Sequence, residues 1–326
     1  MSLKSRLIVV LAGLLIGLTF LWLSMRTIEP GSLRRALEGL HYGWAALAAV
    51  AAILFVVVKA HRWRLILRPV VACNLRFLNC LVAAGIAASL VVAHTGELVR
   101  AVQVSRHERV AASAVLATIG IERVLDIAAV LLLVAAVLAY APKFSGPLAS
   151  TAIVLAACVS AGVGLVLLWL YAGERAAGRM SSLLKHMPRR PRDWFVRQVS
   201  QSRTGVEIAR NPGALPRLVA LSLVQWACII ACVWASCMAI GLAASLSASV
   251  AVLALMVVGV TLPTAPGYLG TTQLAFVVGL GVSGVPIEQA FASSLVYSLT
   301  VNLFMMLLGA AAWLLGCGIK AGSVRP

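Results

Sequence analysis

The stretch TLPTAPGYLGTTQ, residues 261–273, holds Pro263, Pro266, Gly267 and Gly270 between two uncharged apolar runs, residues 248–260 and 274–282. Neither run is long enough to cross a bilayer alone, which takes roughly 20 residues. Proline withholds an N–H and glycine admits backbone angles other residues avoid, so an unbroken helix through this point is disfavoured. A break at membrane depth leaves backbone groups unpaired and is tolerated only inside protein or beside a water-filled cavity. Broken helices of this kind build substrate sites in transporters. The plain alternative is a turn at the membrane surface between two spans.

The surrounding composition agrees with a membrane setting. Of 326 residues 62% are hydrophobic and only 11% charged, with a mean hydropathy of +1.00. A soluble domain carries about a quarter charged residues. The formal charge of +17 would suggest nucleic acid in a soluble chain, but here Lys and Arg fall between apolar runs. That makes them topology signals and contacts for anionic lipid at the cytoplasmic face, with no nucleic-acid partner expected. Seven cysteines are scattered without metal spacing, and Cys228, Cys232 and Cys237 read as small core residues.

The expected fold is all-α integral membrane, with about six transmembrane helices and two re-entrant helical hairpins in an inverted-repeat arrangement. The chain reads as one polytopic domain, 1–326. Its first half, 1–172, holds a hairpin at 79–110. A basic loop, 173–215, faces the cytoplasm, and the second half, 216–326, holds a hairpin at 247–283. The apolar run 7–24 lacks a cleavage site and is expected to stay as the first span. In KAHRWRLILRP, Lys59, Arg62, Arg64 and Arg68 surround Trp63 and are expected to anchor a helix end at the headgroups. Were residues 79–93 to cross fully, the basic loop would face outwards, against the positive-inside bias. The segment is therefore expected to enter from the cytoplasm, turn near His94 to Glu97 and return. Both termini are then cytoplasmic.

The two breaks look like a hidden duplication. VVAHTGELVRAVQV and TAPGYLGTTQLAFVV each set glycine and a polar side chain between short apolar runs, and each precedes a long span with a polar pair, Glu122-Arg123 or Tyr297-Ser298. Paired interrupted segments are the sequence pointer to a midplane site. His94, Gly96, Pro263, Pro266, Gly267 and Gly270 are the expected break residues.

Glu97, Glu122, Arg123 and Asp126 fall at or near hydrocarbon depth, where each charge costs about 2.5 to 3.5 kcal/mol on insertion scales. Glu122 and Asp126 share a helix face and would repel each other, so a cation must be close. Arg123 is expected to neutralise Glu97 and reach Asp126, with Arg100 as the competing partner. The cluster either lines a groove for a lipid headgroup or only locks the hairpin. Gln273, Tyr297, Ser298 and Asn302 are the uncharged counterparts, Asn302 fitting helix–helix glue equally well. No catalytic set, cofactor motif or metal cluster is visible, so an enzyme is not expected.

With these residues in hand, the chain resembles the lysylphosphatidylglycerol synthase transmembrane family, also called flippase-like, as a free-standing member without the aminoacyl-transferase domain. The likeness rests on HRWRLIL at 61–67, GELVRA at 96–101, IERVLD at 121–126 and PTAPGYLG at 263–270. The resemblance implies movement of a polar-headed lipid between leaflets of the cell inner membrane: an aminoacyl-phospholipid, a polyprenyl-linked glycolipid or a hopanoid-type lipid. The family commonly carries Glu where this chain has Gln273 and Arg where it has Ser298, which favours a less charged substrate. The rival reading is a non-catalytic membrane partner that scaffolds a lipid-modifying enzyme or glycosyltransferase. An intramembrane lipid-modifying enzyme is a third.

Overall fold

A computed structural model describes residues 30–92, 95–140, 213–261 and 265–314, with Thr19 and Trp22. Among these every regular element is helical and no strand occurs. In order they are α1 (Pro30–Leu37), α2 (Tyr42–Leu67), α3 (Leu75–Val91), α4 (Thr95–Glu108), α5 (Ala112–Tyr140), α6 (Ala214–Ala239) and α7 (Leu246–Thr261). A 3-10 turn (Pro266–Tyr268) then leads to α8 (Thr271–Gly281), α9 (Ile287–Tyr297), a π-helical turn (Ser298–Leu303) and α10 (Phe304–Leu314). Almost all of the expected first span, the return span 148–171 and the basic loop up to residue 212 lie outside the described residues.

Among the described residues three helical stretches are long and apolar enough to cross a membrane: α2, α6 and the continuous Ile287–Leu314. At 26 residues, α2 and α6 each rise about 39 Å, more than the hydrocarbon thickness. The distribution of side chains on α2 identifies its surroundings. Ala45, Ala48, Ala51 and Ala52 are buried, while Leu47, Val50, Leu54 and Val57 are exposed. In water the large apolar residues would turn inward; in lipid, small residues go inward so that backbones can approach.

The chain divides into two compact units. The first comprises Met1–Val58, Asn79–Arg100 and Val224–Gly318. Within it α2 and α6 run antiparallel: the His41 N–H donates to the Ala239 carbonyl at 2.8 Å, Trp44 meets Trp234 edge-on at 5.1 Å, and the Cys232 thiol donates to the Ala48 carbonyl. The same unit holds the closed end of one helical hairpin, Asn79–Arg100, and the whole of a second. In the first, α4 folds back on α3, with the Gly96 N–H donating to Ser89 Oγ at 3.0 Å. The Thr95 hydroxyl donates to the carbonyls of Ala88 and Val92 at the end of α3. In the second, α8 folds back on α7, with Gly259 opposite Thr271 and Gly279 against Val252.

Gly96 corrects an expectation. It does not open the backbone, because it is the second residue of α4. It supplies room instead: a Cβ there would fall on the Gly85 carbonyl. Gly309 of α10 does the same against the Ala83 carbonyl of α3. The helix Ile287–Leu314 therefore touches both hairpins, the first through Gly309 and the second through contacts described below.

The second unit comprises Lys59–Leu78, Ala101–Leu223 and Ile319–Pro326. Ile66, Leu125 and Leu218 form its buried core, joining the end of α2 to α5 and the start of α6. The buried Trp63 ring donates its N–H to the Thr118 hydroxyl at 3.1 Å. Phe77 stacks on His107 at 4.5 Å. Between α2 and α3, burial and then the neighbouring Glu108 push the Cys73 thiol up to about 12.

Candidate functional site

On α5, Glu122 and Asp126 lie one turn apart and are both buried. Their cations come from α2. Lys59 donates a hydrogen bond to Glu122 and stands 3.9 Å from Asp126. Arg62 places Nη2 2.7 Å from Asp126 and 3.5 Å from Glu122, while Nη1 donates to the Ser222 hydroxyl of α6 at 2.8 Å. Two cations at i and i+3 thus meet two carboxylates at i and i+4, and the formal charges cancel. Such a group resists removal of any member, because a lone buried charge has no solvent to fall back on.

This overturns the reading of Lys59 and Arg62 as headgroup anchors. Both are buried, as is Trp63, whereas His61, Arg64 and Arg68 of the same run are exposed. The run is a helix with two faces. Residues 59, 62, 63, 66 and 67 turn inward, a spacing that was present in the sequence and marks a buried stripe. Arg123 occupies a different place: its side chain is 47% exposed, with Nη1 3.8 Å from Asp126 Oδ2.

In the first unit, Glu97 sits half-buried in the first turn of α4, where a negative charge complements the helix dipole. Arg100, one turn on, is buried and lies over Gly85. Glu97 and Arg123 belong to different units. His94 and Pro263 lie outside the described residues.

The second hairpin shows how a broken backbone is made tolerable. Pro266 opens the 3-10 turn, and Gly267 and Gly270 hold φ of 71° and 84°, left-handed values that favour glycine. The Gly270 N–H donates to the buried Gln273 side-chain carbonyl at 2.7 Å. Asn302, in the π-helical turn, donates its amide to the Gly267 carbonyl at 3.2 Å. Gln273 donates in turn to the Ser298 hydroxyl at 3.2 Å. The buried Tyr297 ring packs on Phe276 at 5.5 Å. Gln273 and Asn302 thus serve the freed amide and carbonyl, and the π turn falls where they are held. Sequence reasoning singled out these side chains but not the π turn, which has no residue signature of its own.

Among the described residues no three His, Cys, Asp or Glu side chains gather as they would around a metal ion. The family model described as Lysylphosphatidylglycerol synthase TM region matches residues 10–309. The chain belongs to that family. Neither a curated protein nor a solved structure gives a significant match. Membership in the lysylphosphatidylglycerol synthase TM region family, together with the apolar helices, makes this a multi-pass membrane protein whose function is connected with membrane lipid. Among the described residues, the paired charges of α2 and α5 and the polar break beside α9 are two places where polar groups are built into an apolar fold.

Proposed function

We propose that the protein moves a polar-headed lipid between the leaflets of a cell inner membrane. The observation that supports this best is the pair of short-armed hairpins. Their arms have 17, 14, 16 and 11 residues. At 1.5 Å per residue these are about 25, 21, 24 and 16 Å, each short of the roughly 30 Å of hydrocarbon. In this reading each hairpin is re-entrant, the first entering from the cytoplasm and the second from outside, and both termini are cytoplasmic. Polar side chains then lie at mid-depth, where a headgroup must pass. Within the first unit Glu97, Arg100, Gln273, Tyr297, Ser298 and Asn302 are the headgroup contacts. Glu122 and Asp126, held by Lys59 and Arg62, fix the helix that carries the more exposed Arg123.

The second hairpin carries no charged side chain among its described residues, and Gln273 and Ser298 touch, so this half offers hydrogen bonds without net charge. A neutral, hydroxyl-rich headgroup fits it better than a cationic one. The protein acts in this reading as a carrier, not a catalyst.

The test is reconstitution of the full chain in liposomes carrying a fluorescent glycolipid, a lysyl-phospholipid or a plain phospholipid, with a membrane-impermeant quencher reporting the outer leaflet. Transport predicts that quenching exceeds one leaflet's share for at least one lipid, and that Arg123→Gln slows it. A scaffold leaves every lipid where it started, and chemical change of the lipid would instead indicate an enzyme.

A further inference from the structure

The helix Ile287–Leu314 changes its winding in the middle. Tyr297, Val301, Met305 and Gly309 are all buried, each four residues after the one before, whereas Leu299, Leu303, Met306 and Leu307 are exposed. A regular α-helix advances about 100° per residue, so over the span from Tyr297 to Gly309 it would carry Gly309 about 120° off the Tyr297 face. The π-helical turn at Ser298–Leu303 takes up one extra residue and removes most of that drift. Tyr297 meets Phe276 and Gly309 meets Ala83 together only while the turn is wide.

Two side chains hold the turn wide, one near each end. The Ser298 hydroxyl accepts from the Gln273 amide at 3.2 Å, and the Asn302 amide donates to the Gly267 carbonyl at 3.2 Å. Both partners belong to the second hairpin. Each bond is a single neutral one, and each joins groups that a ligand hydroxyl satisfies equally well. At α10 the contact allows no substitute: a Cβ on Gly309 would overlap the Ala83 carbonyl and the Ala87 methyl of α3. If the turn tightened into α-helix, Leu308 would come round to the place of Gly309, where no leucine fits. Tightening therefore separates α10 from α3. All of these residues lie within the first unit.

We propose that the π-helical turn is a conformational switch with two states. In the wide state α10 is seated on the first hairpin; in the tight state it has turned about 100° on its axis and come free. A hydroxyl-bearing headgroup trips the switch by competing for the Gly267 carbonyl and the Gln273 amide, so that a ligand at the second hairpin loosens the first. For its ligand this inference rests on the transport reading above, but the two helix states need no transport to be observed.

The test is double electron–electron resonance on full-length, otherwise cysteine-free protein in nanodiscs, spin-labelled at the exposed positions Val91→Cys on α3 and Leu307→Cys on α10. The wild type should give two distances. Asn302→Leu should move their ratio about fivefold towards the tight state, the factor carried by one neutral hydrogen bond. Deleting Leu299 takes out the extra residue, so a regular helix then keeps both contacts and only the wide-state distance should remain. Gly309→Ala should leave only the other distance. A single wild-type distance equal to that of the Leu299 deletion overturns the switch, whether or not the other variants fold. An unchanged ratio in folded Asn302→Leu overturns it too. Two distances responding as expected, without lipid movement in the liposome assay, would uphold the switch and count against the transport reading alone.

Discussion

In the second unit four charged side chains from two helices cancel one another, whereas in the first unit neutral side chains stand beside a backbone that has been broken. Both arrangements place polar groups where water is scarce. In the charged set Lys59 and Arg62 match Glu122 and Asp126 in number, with Arg123 a more distant third cation. The neutral set depends on the backbone: Gln273 and Asn302 are held by the amide and carbonyl that they satisfy. A charge network of this kind suits a fixed joint between helices. A hydrogen-bonded break, whose partners carry no net charge, suits the headgroup path proposed above.

The comparison breaks most readily at Arg62. Arg62→Ala takes from two buried carboxylates the cation nearest Asp126, leaving Lys59 and the more exposed Arg123, and loss of one buried partner costs about 3 to 5 kcal/mol. The expected result is loss of the monodisperse folded peak in detergent, while Arg62→Lys retains part of it. An Arg62→Ala protein with wild-type melting behaviour would show that the charges do not hold the unit together. Next comes Gly96→Val. Overpacking at the α3–α4 contact should cost about 1 to 3 kcal/mol and lower the thermal midpoint. In the second hairpin Gln273→Leu leaves the Gly270 N–H without its acceptor, at about 1 to 3 kcal/mol for a buried group, whereas Gln273→Glu keeps an acceptor there. The melting point of the Leu variant should fall, with the Glu variant above it.

These effects separate what was legible in the sequence from what was not. Proline and glycine act on their own backbone, so the break at 261–273 was readable from the letters alone. The need for a cation beside Glu122 and Asp126 was readable too, because like charges on one helix face repel. Which cation answers it was obscured by reading KAHRWRLILRP as a block rather than as two helix faces. The close approaches at Gly96 and Gly309 depend on what lies opposite, and a single sequence does not say what lies opposite.

A smaller effect sharpens the contrast with the buried joint. With its thiol raised by burial and by Glu108, Cys73 stays protonated through neutral pH. A raised acid favours the folded state below its ordinary value of 9.0 and loses that advantage as pH climbs towards 12. Maleimide should therefore modify Cys73 slowly at pH 8 in the folded protein and quickly after denaturation.

The central claim is that the two hairpins enter the membrane from opposite faces and turn within it. Single cysteines in an otherwise cysteine-free protein test this directly, labelled by an impermeant maleimide from one side of the membrane at a time. Arg109→Cys at the mouth of the first hairpin should react only from the cytoplasmic side and Ser283→Cys at the mouth of the second only from outside, with cysteines at the tips, Val92 and Leu269, reacting far more slowly than either mouth. Labelling of both mouths from the same side, or of a tip at full rate from the face opposite its own mouth, would contradict the account.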